Sequence, residues 1–536
     1  MKKLTGKSIV KGTAIGKIKV IVKAEAHFAE KSELTPEEEK LRFEAASEKA
    51  KEQLDALYEK ALREVGEEEA GIFEVHKMML EDEDYLDSVN ASISAGSTAE
   101  NAVTETGAEF SEMFAGMDDE YMRARASDVR DVSQRVVNVL TGCEAAVLEE
   151  PSIIAAEELT PSETVGLDKT KILGFVTHTG STTSHTAILA RTMNIPTIFG
   201  IEVDKEWDGK TAILDGTADV FIVEPDAEAL KEAEKRAKSD REHRAALQAL
   251  IGLPNVTKDG RSIDIYANIG SVEDAVLANN NDAGGVGLFR TEFLYLAAND
   301  FPHEDTLFEA YKKAAEILGS KKLVIRTLDI GADKQTDYLK LDKEDNPALG
   351  LRAIRVCLTR PEIFKTQLRA MLRAAAFGNV AIMLPMIISL WEFEESKALL
   401  EECRRELADE GKEFGEVELG IEIETPAAAL IADDLAVGAD FFSVGTNDMT
   451  QYALAVDRQN LKLDKFADTH HPAVLKLIKM TVDAGHRHGT RVGICGELAA
   501  DMDLTETFIR MGVDELSVNP SAILPLREKV RELDLS

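Results

Sequence analysis

Between Pro254 and Ser536, eight short apolar runs come at intervals with helical stretches between them, at residues 262–268, 285–289, 323–327, 380–385, 417–423, 440–444, 491–494 and 515–518. Parallel strands covered by helices are buried on both faces, so they read as continuous apolar runs. Eight such strands, each followed by a helix, predict a (β/α)8 TIM barrel as the C-terminal part of a multidomain α/β protein. This constrains chemistry as well as fold, because the C-terminal ends of barrel strands converge on one mouth. Polar residues stand just after several of these runs: Arg290, Arg326 with Asp329, Glu424, Asn447 with Asp448, and Cys495 with Glu497. They are expected to share one cavity.

The rest of the chain changes character twice. Residues 1–22 read as short strands with Gly6, Gly12 and Gly16. Thr35-Pro36-Glu37-Glu38 then supplies an N-cap, a proline at the first helical position and a capping-box glutamate. Ala50, Leu54, Leu57, Ala61, Leu62 and Val65 keep helical spacing, with Gly66 as the stop. Helical patterns continue to about residue 140. From about residue 147, strand candidates at 152–156, 172–177, 197–199 and 211–214 alternate with helices. Residues 226–250 form a charge-laced helix with a thin apolar stripe, stopped by Gly252 and Pro254 and suited to connecting two domains. The expected organisation is an α/β domain from residues 1–22 and 144–225, an inserted helical bundle at 23–143, a linker helix at 226–252 and the barrel at 253–536.

Charge narrows the partners. The 536 residues include 98 Asp and Glu against 62 Lys and Arg, a net charge of −36. Nucleic acid as the main partner is disfavoured, since phosphate backbones need basic surface. A basic protein partner fits, as does an anionic substrate held in a local pocket. The apolar stretch at 380–391 is too short to span a bilayer and is broken by Pro385. The four cysteines, Cys143, Cys357, Cys403 and Cys495, form no CxxC pair, and the expected compartment is a reducing cytoplasm.

The predicted mouth has a definite chemistry. Arg290 and Arg326, with Arg352 and Arg458 as further candidates, are forked cations that match phosphate and carboxylate oxygens. Glu424 and Asp448 are hard oxygen donors; two carboxylates completed by substrate oxygens and water suit Mg²⁺. Cys495 lies between Gly493 and Gly496, where other groups can approach closely. This set fits a small, multiply charged anion and the charge neutralisation that phosphoryl transfer needs. Taken singly, each residue has a plainer role, an arginine in a surface ion pair or a cysteine as a small apolar filler. A second constellation runs from Gly174 to Arg191: a strand, a Gly/Ser/Thr turn, and a helix expected near Ser184. Helix N-termini stabilise phosphate, and His185 there is a competent nucleophile near neutral pH.

At this point the residues resemble a known family. Thr183-Ser184-His185-Thr186, with Ala190-Arg191, is similar to the phosphohistidine signature of phosphoenolpyruvate-utilising enzymes. Gly284-Gly-Val-Gly-Leu-Phe-Arg290, Ile325-Arg326-Thr-Leu-Asp, Glu424-Thr-Pro-Ala, Val444-Gly-Thr-Asn447-Asp448, Ala455-Val-Asp-Arg458 and Cys495-Gly-Glu497 extend the match. Their order and spacing resemble the Enzyme I family of the bacterial phosphotransferase system, over essentially the whole chain. Residues 23–143 stand where that family carries its insert for the histidine-containing phosphocarrier protein HPr. Residues 67–84 resemble its docking surface, an apolar ridge of Met78, Met79 and Leu80 ringed by acid. With the sequence given starting at the phosphohistidine-domain strands and no GAF-type stretch in it, the expectation is against the nitrogen-regulatory paralogue.

The resemblance implies a swivelling phosphohistidine domain and transfer of phosphoryl from phosphoenolpyruvate through His185 to HPr, the first step of sugar uptake. It implies Mg²⁺ on Glu424 and Asp448; substrate contacts from Arg290, Arg326, Asn447, Asp448 and Arg458; Cys495 as proton donor to the enolate; and a homodimer through the C-terminal domain. A proton donor must be a thiol, and an acidic, partly buried setting raises a cysteine pKa as required. Two other readings stay open: a synthase-like phosphoenolpyruvate enzyme, and a non-catalytic regulatory relative. Three departures bear on them. Ser181-Thr182 follow Gly180 where the family has Gly-Gly-Arg, and Ala332 replaces a glycine before Asp333-Lys334. The sequence given also stops nearer the last barrel strand than is usual in the family.

Overall fold

The structure, a computed structural model, describes the chain except residues 22–27, 65–66, 118–119, 143–147, 180–185, 188–189, 191–194, 297, 299, 332–336, 343 and 459. It divides into two compact units, Met1–Arg244 and Ala245–Ser536.

In the first unit, strands β1 (Lys2–Thr5), β2 (Lys7–Val10), β3 (Thr13–Ile21), β4 (Ser152–Ala156), β5 (Ile172–Thr177), β6 (Thr197–Phe199), β7 (Thr211–Asp215) and β8 (Val220–Val223) form one sheet, in the order β1-β8-β7-β3-β4-β5-β6-β2. Strands β3 to β6 run parallel, and the outer pairings are antiparallel. Side chains alternate across a strand. In β4, Ile153 and Ala155 therefore enter one core while Ile154 and Ala156 enter the other. Burial on both faces is why β4 reads as an unbroken apolar run.

Between β3 and β4 the chain makes the helices Pro36–Glu64, Glu67–Met79, Glu83–Ser94, Ala99–Ala115 and Glu120–Thr141. The first begins at the expected capping box: Thr35 N–H donates to Glu38 Oε2 (2.9 Å), and Glu38 N–H donates to Thr35 Oγ1 (3.3 Å). Phe43, Leu54, Phe73, Leu80, Tyr85, Val103 and Val136 fill the bundle core. The burial of Leu80 corrects the expected surface ridge: Met78 is 68% exposed and Met79 partly exposed, but Leu80 packs inward. Gly66, the expected helix stop, lies outside the described residues.

The long polar helix is Ala227–Gln248, with only Ala233 and Ala237 buried, and the division between the units falls within it. No helix among the described residues is long and apolar enough to cross a membrane.

In the second unit, strands β9 (Asp264–Ile269), β10 (Gly285–Phe289), β11 (Lys322–Arg326), β12 (Asn379–Leu384), β13 (Glu418–Ile423), β14 (Phe441–Val444), β15 (Arg491–Ile494) and β16 (Glu515–Val518) form a closed parallel barrel, β16 returning to pair with β9. The alternation sorts the side chains into two cores. Ile265, Leu323, Ile325, Ile382, Ile421, Ile423, Phe442, Val444, Val492 and Ile494 face the outer helices. Leu288, Val324, Ala381, Met383, Phe441 and Cys495 fill the interior. The same alternation turns Arg326, Glu422 and Glu424 inward.

Candidate functional site at the barrel mouth

Most of the expected mouth residues meet in the barrel unit. Arg326 ends β11 and is almost wholly buried. Its Nη2 donates to Glu292 Oε1 (2.8 Å) and pairs with Asp329 Oδ2 (3.0 Å), while Nη1 donates to Glu422 Oε2 (3.1 Å). Burial works against this charge, but Glu292, Asp329 and Glu422 outweigh it and hold the guanidinium protonated. Arg352 completes a chain: its Nη2 donates to Asp329 Oδ1 (2.9 Å) and pairs with Asp448 Oδ2 (3.5 Å), and its Nη1 donates to Tyr452 Oη (3.2 Å).

The carboxylates are set by strand ends. Glu424 follows β13, and its Oε1 accepts the Met386 N–H (2.6 Å). Asp448 lies in the first turn of helix Thr446–Leu454, and its buried Oδ1 has no hydrogen-bond partner. The exposed Arg458 stands 3.8 Å from that oxygen. Gly445 makes the crowding possible: a Cβ there would lie 2.8 Å from Glu422 Oε1 and from Glu424 Cβ. Asn447 Nδ2 donates to Glu497 Oε1 (3.3 Å), and Glu497 N–H donates to Asn447 Oδ1 (3.0 Å), tying two strand ends together. Arg290 follows β10 at intermediate exposure, its N–H donating to Ile269 O (2.9 Å).

Cys495 follows β15 and is 1% exposed. Its Sγ donates to Glu422 Oε1 (3.4 Å), with Val444 O a more distant acceptor at 3.8 Å. Asn268 fixes the backbone there, donating from Nδ2 to the carbonyls of Cys495 and Ser517 (3.0 Å each). Burial, and then the Glu422 carboxylate, push the Cys495 thiol well above its ordinary pKa, so it is a thiol at neutral pH.

The site carries more negative than positive charge. Burial and then Glu422, Asp448 and Asp329 push the Glu424 carboxyl well above the usual range. A divalent cation relieves that kind of crowding, and Asp448 Oδ1, which accepts no hydrogen bond, offers it a ligand. Among the described residues no three His, Cys, Asp or Glu converge to hold a metal by themselves. Glu424 and Asp448 therefore fit a divalent cation as the protein's share of a ligand set completed by substrate and water.

His185, Ser181, Thr182, Asp333 and Lys334 lie outside the described residues. Sequence reasoning missed Glu422, Glu292 and Asn268. For Glu422 a signal existed: it is two residues before Glu424 and must share its face of the strand.

Comparison with known proteins agrees with this architecture. Three family models match in order: "PEP-utilising enzyme, N-terminal" over residues 5–125, "PEP-utilising enzyme, mobile domain" over 148–219, and "PEP-utilising enzyme, PEP-binding domain" over 244–535. A parallel barrel with this mouth, behind those two N-terminal segments, defines the class of phosphoenolpyruvate-utilising enzymes. The phosphoenolpyruvate-protein phosphotransferase of Bacillus subtilis is 41% identical over 540 residues, spanning 99% of this chain and 95% of that one. Its Haemophilus influenzae counterpart is 42% identical, spanning 98% and 92%. A solution NMR structure of Enzyme I is 33% identical and covers 44% of this chain and 99% of its own, with a TM-score of 0.38. The chain belongs to the phosphoenolpyruvate-protein phosphotransferase family and is an enzyme.

Proposed function

We propose that this enzyme moves the phosphoryl group of phosphoenolpyruvate onto His185 and from there to the carrier HPr, beginning phosphotransferase-system sugar uptake in the cytoplasm. The observation that carries this reading is a buried, protonated Cys495 in the same mouth as Arg326, Glu424 and Asp448. Arg290 and Arg326 hold the phosphoryl oxygens; Asn447, the Asp448 backbone and Arg458 hold the rest of the anion. Mg²⁺ on Glu424 and Asp448 supplies further charge neutralisation when bound. His185 attacks phosphorus in line, forming an N–P bond as the P–O bond to the enol oxygen breaks. Cys495 gives its S–H proton to C3 of the enolate, yielding pyruvate.

Exposed Met78 beside the exposed Glu81, Asp82, Glu83 and Asp84 supports docking of a basic carrier with an apolar centre. Exposed Trp391 and Leu430 on helices of the barrel unit, and Val437 just after one, are consistent with a homodimer through this unit.

Radiolabelled phosphoenolpyruvate with Mg²⁺ tests the chain of transfer. Acid-labile label is expected on wild type and not on His185→Ala, and it should chase onto HPr. No label on wild type refutes the phosphohistidine step. Label that refuses to chase refutes the HPr step alone.

A further inference from the structure

Glu422 has no part in that mechanism, yet it touches both halves of the chemistry. Its Oε2 accepts from the Arg326 guanidinium at 3.1 Å, and its Oε1 accepts from the Cys495 thiol at 3.4 Å. The space for it is built in: Oε1 lies 2.8 Å from where a Cβ on Gly445 would stand, and β13 pairs with β14 so that Glu422 faces Ser443. The whole side chain is buried.

A thiol hydrogen turns freely about the Cβ–Sγ bond and is a weak donor. Delivering it to one face of a planar enolate requires that it be held. Of the other groups in reach, Val444 O at 3.8 Å is a distant acceptor, and the neutral Ser443 hydroxyl is placed to donate to the sulfur rather than to hold its hydrogen. A carboxylate is the stronger acceptor, and this one is itself clamped by Arg326. Fixing the carboxylate therefore fixes the sulfur, and it does so relative to the arginine that grips the phosphoryl group.

We propose that Glu422 is a positioning residue for the protonation step: it orients the Cys495 S–H toward one face of C3 and sets its register against Arg326. This rests on the reading of Cys495 as proton donor. The step itself is unchanged: the S–H bond breaks as a C–H bond forms at C3, and the thiolate left behind regains its proton from solvent.

The test uses the full-length enzyme and phosphoenolpyruvate carrying one deuterium, of Z geometry, at C3, turned over in tritiated water. The readouts are the configuration of the chiral methyl group in pyruvate and the single-turnover rate of enzyme phosphorylation. Wild type should give one configuration. Glu422→Met, which removes both contacts, should give largely racemic pyruvate while phosphorylation slows much less; the loss of facial selectivity is expected to be roughly tenfold or more. Glu422→Gln, whose amide oxygen still accepts the S–H, should restore most of the selectivity. If Glu422→Met keeps the wild-type configuration, or loses phosphorylation and selectivity in equal proportion with no rescue by Gln, the positioning role is wrong. Cys495→Ala separates the two readings. If it racemises the product while Glu422→Met does not, only the role of Glu422 falls. If it leaves the configuration intact, the Cys495 assignment falls and takes Glu422 with it.

Discussion

Arg326 sits among three carboxylates, and it is hard to see it as a surface ion pair that happens to lie near a mouth. Breaking a buried pair by removing one partner leaves the other charge uncompensated, at a cost of about 3–5 kcal/mol. A second residue, at the start of β16, makes a sharper prediction. Glu515 is partly exposed as a whole, but its Oε1 occupies the space over Gly287, and burial pushes its carboxyl from the usual 4.5 up to about 7. In the native state it therefore holds a proton that the unfolded chain releases near pH 4.5. Its stabilising contribution is fully present below that pH and is lost as pH rises through about 7. Glu515→Gln should flatten this slope. Urea midpoints measured from pH 5 to pH 8 should fall less steeply with pH for the variant than for wild type; an unchanged slope would show that Glu515 does not titrate in that window.

At the level of elements, the mouth depends on a missing side chain. Gly445→Ala would drive a methyl into Glu422 Oε1 and Glu424 Cβ. The expected cost is about 1–3 kcal/mol of stability, together with weaker Mg²⁺-dependent binding of phosphoenolpyruvate by calorimetry; wild-type affinity in the variant would mean the strand end relaxes freely. The eight barrel strands were legible because helices cover their outer faces and side chains fill the interior, leaving little polar residue inside each run. Strand β8 was not, since it is only Val220–Val223, and it follows a turn in which Asp215 Oδ1 accepts from the N–H groups of Thr217 and Ala218. The placement of Glu424 and Asp448 at the mouth was legible because both follow closely on barrel strands. Glu422 was passed over as part of an apolar run; its partner Cys495 is 73 residues further on, a distance at which sequence spacing says nothing. Leu80 went the other way, since a Met-Met-Leu run on an amphipathic helix does not say which of its members turns inward.

For the molecule as a whole, the two units have separate cores, and the helix at their division buries almost nothing of its own. Heating should therefore give two calorimetric transitions. Phosphoenolpyruvate with Mg²⁺ should raise the one belonging to the barrel and leave the other in place, because a ligand stabilises only the fold that binds it. One merged transition that shifts as a block would refute this. The closure of β16 onto β9 also has a price during synthesis. Asp264 and its partner Glu515 are made far apart in time. At roughly 5–20 residues per second, a nascent barrel stays an open sheet with two raw edges for about ten seconds to a minute. A ribosome-bound chain is thus exposed to pairing with a neighbour on the same message until residue 518 has emerged, and chaperone occupancy should fall only after that point.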